Sequence, residues 1–264
     1  MKHISSRDNA VWKSLVRLCH SGRERRKQSR CVIEGAHSIR AYVERFGAPE
    51  LVVADRDRIN DAEISALLDT VGGADVIVVD PRLFTDLAQT ATPTGVLAVA
   101  PTPKPASTTP GYFSLVLEDV QDPGNVGSMM RIAAAAGASH VFLTSGCAFA
   151  WSPKVLRAGQ GAHFYLDIIE NADIAQLTTS FAGTIVGALP RASVSVFDAD
   201  LRGALILLIG NEGAGLSEAA LAAAKLQVAI PMPGGFESLN AAVATAVCVF
   251  EKLRQDRGAA PGNR

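Results

Sequence analysis

Leu205-Ile206-Leu207-Leu208-Ile209-Gly210-Asn211-Glu212-Gly213-Ala214-Gly215-Leu216 is the stretch on which the reading of the fold turns. Five large apolar residues in a row, with no polar alternation, require a strand covered on both faces, as in a parallel sheet flanked by helices. The strand stops at Gly210, and the glycines at 210, 213 and 215 let backbone approach a flat ligand closely. Ligands of such sheets sit at the carboxyl ends of the strands, where this loop begins.

Outward from it, strands are expected at 115–120, 140–144, 184–188 and 227–231, alternating with helical stretches, which defines an α/β domain with a mostly parallel sheet. Upstream, residues 4–20 read as an amphipathic helix carrying Ile4, Val11, Leu15, Val16 and Leu18. A basic turn follows, and then strands at 31–35, 51–54, 75–79 and 94–100 with helices at 37–46 and 61–69. This is a smaller α/β unit over 1–100. Between the two, residues 101–111 hold four prolines, which neither donate to a sheet ladder nor continue a helix. That segment is read as the linker, with the second domain spanning 112–264.

Composition narrows the function classes. With 48% hydrophobic and 19% charged residues the chain suits a packed core rather than disorder. No run of the ~18 apolar residues that a membrane span needs is present, and the first residues lack the apolar segment of a secretory signal, so a cytoplasmic protein is expected. Cys19, Cys31, Cys147 and Cys248 form no C-x-x-C pair, so free thiols and no metal site are expected. The net charge of −1 hides an asymmetry: the first 30 residues carry nine Lys/Arg against Asp8 and Glu24. Arg23, Arg25, Arg26, Lys27 and Arg30 are its densest part, the pattern of a phosphate-contacting surface, although a solvated helix end shares it.

Three loops carry the chemistry. The first, Asp122-Pro123-Gly124-Asn125-Val126-Gly127, leads into a helix over 126–136 with Asn125 as its N-cap. Arg131 lies four residues beyond Gly127 on one helical face, from where a guanidinium leaning toward the helix start reaches an anion held bidentately. In the second loop, Glu212 suits ribose hydroxyls, although a lone carboxylate also suits a helix start. The third runs Ile230-Pro231-Met232-Pro233-Gly234-Gly235-Phe236-Glu237-Ser238-Leu239-Asn240, with Ser238 as N-cap of an Ala-rich helix and Asn240 in its first turn. No G-x-G-x-x-G occurs, which argues against a dinucleotide-dependent oxidoreductase.

Asn125-x-Gly127-x-x-x-Arg131, Gly210-x-Glu212-Gly213-x-Gly215-Leu216 and Ile230-x-Met232 with Ser238-Leu239-Asn240, in this order, resemble the three motifs of the SpoU-type RNA 2′-O-ribose methyltransferases. The resemblance covers about 112–255 and extends, more faintly, to Arg30–Gly35, which is similar to the substrate-binding domain of ribosomal-protein type carried by many members. It implies a trefoil knot in the C-terminal domain, a homodimer, and S-adenosylmethionine as cofactor. Leu189, Gly210, Ile230, Met232, Ser238 and Leu239 then contact the cofactor, and Asn125, Arg131, Glu212 and Asn240 line the catalytic side. RNA is the implied partner, with ribosomal RNA favoured over transfer RNA because a second domain and a basic arm give a second grip. A member that binds RNA without catalysis is the alternative, against which the intact quartet of polar residues argues. One departure is Arg157-Ala158-Gly159, where the family often has Arg-Ala-Ser.

If Arg131 holds a phosphate with its fork of donors, Arg131→Lys should lose most of its turnover, because an ammonium cannot reproduce the two parallel hydrogen bonds. Steady-state methylation rates test this, and near-full turnover in the lysine variant counts against the bidentate clamp.

Overall fold

The computed structural model describes residues 1–88, 92–179 and 181–259, and the chain divides into two compact units. The first comprises Met1–Pro103 and Trp151–Phe164; the second comprises Lys104–Ala150 and Tyr165–Arg264. Residues 151–164, expected with the second domain, therefore belong to the first unit.

In the first unit the order is β1 (Lys2–Ile4), α1 (Ala10–His20), α2 (Gly22–Gln28), β2 (Arg30–Glu34), α3 (Ala36–Phe46), β3 (Leu51–Asp55), α4 (Ala62–Thr70), β4 (Asp75–Val79), α5 (Pro81–Leu87) and β5 (Val96–Pro101). The sheet runs β1-β4-β3-β5-β2, parallel across β1, β4 and β3 and antiparallel across β3, β5 and β2. The amphipathic helix is shorter than expected. Asn9 accepts the N–H groups of Val11 and Trp12 and so starts α1 at Ala10, while Ile4 belongs to β1 and pairs with Val79. Trp12, Leu15 and Leu18 of α1 join Leu83, Phe84 and Leu87 of α5 over Val53, Ile77 and Leu97. Each such fully buried side chain contributes ~1.5–3 kcal/mol.

The basic turn is a helix. Ser21 ends α1 and caps α2, accepting the Glu24 N–H. Arg25 corrects the reading of this segment as uniformly solvent-facing. It is 6% exposed, and its Nη1 donates to the carbonyl oxygens of Leu18 and Cys19 at 2.7 Å, satisfying the last turn of α1. Arg25 thus holds two helices together instead of facing a ligand.

The second unit carries β6 (Phe113–Leu117), α6 (Pro123–Ala135) and β7 (His140–Leu143). After α7 (Pro153–Gly159), which lies in the first unit, follow β8 (Asp167–Glu170), α8 (Ile174–Thr179), β9 (Thr184–Ala188), β10 (Val194–Ser195), β11 (Leu205–Ile209), α9 (Glu218–Ala223), β12 (Leu226–Ala229) and α10 (Ala241–Ala259). All seven strands run parallel in the order β10-β12-β9-β11-β6-β7-β8. β11 and β6 are buried along their whole length at the centre, as the apolar run requires. Ile206 and Leu208 pack with Ile174 and Ala220 of α8 and α9. Leu205, Leu207 and Ile209 point to the opposite face and are covered as well. Five short elements, α5, α7, β8, α8 and β10, were not expected, being too brief for periodicity to register. α10 extends two residues past Arg257, to Ala259; the rest of the segment expected to fray, 260–264, lies outside the described residues.

The last helix is pinned by a buried cation. Lys252 Nζ donates to the carbonyl oxygens of Leu201 and Gly203 and to Asp256 Oδ2, at 3.1, 2.8 and 2.8 Å. Three acceptors match its three donors.

No helix among the described residues is long and apolar enough to cross a membrane. Burial pushes the Cys19, Cys31 and Cys248 thiols up to about 12, while Cys147 is only half-buried. Brief iodoacetamide treatment of the native protein at pH 8 should therefore modify Cys147 alone, and all four thiols in urea, as read by peptide mass spectrometry.

Candidate active site

The loops after β6, β11 and β12 converge at the carboxyl end of the second unit's sheet. α6 is started by Asp122, whose Oδ1 accepts the Asn125 N–H at 2.7 Å, with Pro123 at the first helical position. Asn125 is therefore not the cap that the sequence led us to expect. Asn240, in turn, caps α10 in place of Ser238: its Oδ1 accepts the Ala242 and Val243 N–H groups at 2.9 and 3.3 Å.

These two corrections explain each other. With its oxygen committed to the helix, Asn240 donates through Nδ2 to Asn125 Oδ1 at 3.0 Å. Asn125 must then donate through Nδ2, and it does so to Glu212 Oε1 at 2.8 Å. Both amide orientations follow from the network, and the carboxylate end must be an acceptor.

The glycine loop is equally determined. Asn211 and Gly215 exchange both backbone hydrogen bonds, and Asn211 Oδ1 accepts the Gly213 and Ala214 N–H groups at 2.9 Å. Gly215 sits at φ +73°, a left-handed conformation, and a Cβ on Gly210 would run into the backbone of Gly215 and Leu216. Two residues that sequence reasoning missed tether this loop to the first. Asp119 O accepts Asn211 Nδ2 at 2.8 Å, and the buried Glu118 carboxylate takes the Ser217 N–H and hydroxyl at 2.8 and 2.6 Å. The signal available was Glu118 itself, an acid at the end of an otherwise apolar strand.

Between the loops lies a cavity of about 510 Å³. Leu189, Gly210, Ile230, Met232, Ser238 and Leu239, the six residues expected to contact a cofactor, all line it, together with Glu212 and Asn240. Its walls are mostly apolar, through Leu216, Leu221 and Val228, with a few polar groups, the usual make-up of a small-molecule site. Cys248 closes one wall with an inert, buried thiol. Asn125 reaches the cavity residues through its bonds to Glu212 and Asn240. Arg131 is not brought into this group: it is exposed on α6, and among the described residues its side chain has no hydrogen bond or ion pair.

In the first unit, Arg23, Arg26 and Lys27 are exposed on α2, whereas Arg25 is buried and Arg30 pairs with Glu50 at 2.7 Å. Arg157, at the departure from the family motif, pairs with Glu34 at 3.2 Å. No group of three or more His, Cys, Asp or Glu residues placed to hold a metal ion occurs among the described residues.

A parallel sheet with a glycine-lined cavity at its carboxyl end, edged by carboxamides and a carboxylate, defines a nucleotide-type cofactor enzyme. Residues 112–250 match the SpoU rRNA Methylase family, and residues 9–98 match the MRM3-like substrate binding domain. The 23S rRNA (guanosine(2553)-2′-O)-methyltransferase RlmP of Bacillus subtilis is 32% identical, over 95% of this chain and 98% of its own length. Human mitochondrial rRNA methyltransferase 3 is 27% identical over 94% of this chain and 73% of its own. Among solved structures, the SpoU methyltransferase AviRb from Streptomyces viridochromogenes, in complex with the cofactor AdoMet, superposes with a TM-score of 0.84 at 28% identity, covering 96% of this chain and 100% of that one. The chain belongs to the SpoU rRNA methylase family.

The loop geometry separates two glycines. Gly210→Ala should lower stability by about 1–3 kcal/mol through backbone overpacking. Gly213→Ala, whose added methyl meets only Asn211 Oδ1 at 3.6 Å, should stay within ~0.5 kcal/mol. Urea titrations of the two variants compare them, and equal losses would contradict the assigned contacts.

Proposed function

We propose that this chain transfers a methyl group to a ribose 2′-hydroxyl of ribosomal RNA, with S-adenosylmethionine held in the 510 Å³ cavity. The observation that carries the reading is the hydrogen-bonded chain Asn240–Asn125–Glu212 along that cavity, two donating carboxamides ending on an accepting carboxylate. The cavity suits the cofactor: apolar walls accept an adenine and a methionine chain, the close backbone at Gly210 admits a flat ring, and Glu212 offers a carboxylate to ribose hydroxyls.

The cofactor supplies, when bound, a methyl group on a good leaving group, so no metal is needed for activation. What remains for the protein is to hold the 2′-oxygen in line and help its proton leave. Asn125 and Asn240 fix the Glu212 carboxylate, which accepts a hydrogen bond through Oε1 and keeps Oε2 for ligand hydroxyls. Arg131 serves as the substrate clamp: its exposed guanidinium takes the adjoining phosphate and polarises the hydroxyl, whose proton passes to phosphate or water. As a base, a guanidinium with a pKa above ~12 is poorly suited.

Ribosomal RNA is favoured by the names of the relatives and by the substrate-binding match over residues 9–98. Arg23, Arg26 and Lys27 supply phosphate contacts on α2. A knotted path in the second unit is supported by β11 lying between β9 and β6 and by the last helix, α10, packing on α6 near the unit's start. A homodimer is part of the same reading, supported by Val243 and Phe250, one face of α10 that is 50% and 47% exposed. A cytoplasmic location is part of the same proposal.

The test is methyl transfer from radiolabelled S-adenosylmethionine to unmodified ribosomal and transfer RNA. Wild type should label ribosomal RNA, Arg131→Ala should not, and Asn125→Ala should turn over about 10²-fold more slowly because Glu212 loses its position. Cofactor binding without label in either RNA overturns the reading.

A further inference from the structure

A second cavity, of about 180 Å³, lies wholly within the first unit at the start of α3. The backbone N–H groups of Ala36, His37 and Ser38 belong to the first turn of that helix and have no intrahelical acceptor. Gly35 precedes them at φ +97° and has no side chain to offer one. Residues 35 to 38 all line the cavity, so these donors open onto it.

Ser38 is an independent sign of a ligand. It is 5% exposed, it lines the same space, and its hydroxyl has no hydrogen-bond partner among the described residues. The oxygen itself is not sealed from solvent, so a ligand seated in the cavity can take it as a partner.

The remaining polar groups define the ligand's chemistry. Glu34 is paired with Arg157 at 3.2 Å and Asp61 with Arg58 at 2.9 Å, all four lining the cavity. These charges cancel in pairs and Glu63, which also lines the cavity, adds a further carboxylate, so a phosphate is disfavoured, while a neutral group finds donors and acceptors side by side. The volume is several times the ~30 Å³ share of one water molecule, room for a ring rather than a single ion. Unpaired nucleobases are read in this way, through edges that alternate donors and acceptors.

We propose that this cavity holds one unpaired nucleobase of the RNA substrate, with the α3 N–H groups and the Ser38 hydroxyl donating to its ring nitrogen or carbonyl oxygen. The inference rests on the RNA reading above and adds to it a site of base recognition in the first unit.

The full-length protein is titrated with short fluorescein-labelled RNAs of uridine, adenosine or cytidine, with a mixed-sequence RNA containing guanosine, and with an abasic ribose-phosphate chain of the same length. Wild type should bind one of the base-bearing RNAs more tightly than the abasic chain. Ser38→Ala should weaken that preferred RNA about fivefold, the loss of one hydrogen bond. Ser38→Gln, which fills the cavity, should reduce it to the abasic level, with S-adenosylmethionine affinity unchanged in both variants. If the glutamine variant does not fold, the alanine variant decides alone. Equal binding of the abasic chain by wild type makes the cavity a phosphate site and overturns the proposal. Unchanged base preference in Ser38→Ala, with methylation intact, overturns it while leaving the RNA reading in place. A wild type that binds S-adenosylmethionine and none of these RNAs overturns both.

Discussion

The carboxamide of Asn125 is the interaction on which the active site depends. A carboxamide has two distinguishable ends, and here each is committed: oxygen to Asn240, nitrogen to Glu212. The polarity starts in the backbone of α10, whose first N–H groups capture the Asn240 oxygen. Each bond is individually worth about 0.5–1.5 kcal/mol, yet the three residues come from three different loops. Losing the middle one frees both neighbours at once, which is why the network matters more for geometry than for stability.

That arrangement needs a scaffold which does not move, and the sheet supplies it. β11 and β6 run side by side, buried throughout, and deliver Glu212 and Asn125 to the same end of the unit. Glu118 and Asp119 tie the two loops a second time, through Ser217 and Asn211. α10 is fixed at its start by Asn240 and again, further along, by the fully paired Lys252 ammonium. Buried charge is tolerated there because every donor has an acceptor. The cavity thus sits among loops whose backbones are held from both sides, the pre-organisation that in-line transfer to a weakly nucleophilic hydroxyl demands.

In the first unit, cations divide by what they reach. Arg25 turns inward to complete α1, Arg30 meets Glu50, and Arg23, Arg26 and Lys27 remain at the surface of α2. A run of basic residues is therefore not one surface, since a helix distributes neighbours around its circumference at 3.6 residues per turn.

By itself the sequence determined the class of fold and the location of the chemistry. The unbroken apolar run 205–209 can be satisfied only by cover on both faces, and the glycines after it mark a loop in which Gly210 has no room for a side chain and Gly215 takes a left-handed conformation that side chains rarely adopt. The six residues expected around a cofactor all line one cavity, because motif spacing and strand ends are local properties of the chain. Tertiary structure decided the rest. Which residue caps α6 and which caps α10 depended on partners 87 and 115 positions away, since only the return of Glu212 and Asn240 gives the Asn125 side chain a better use than capping. The burial of Arg25, the tethering by Glu118 and the grouping of residues 151–164 with the first unit were likewise hidden. Hydrogen bonds between distant segments leave no periodic trace in a sequence, and they are what turns three loops into one site.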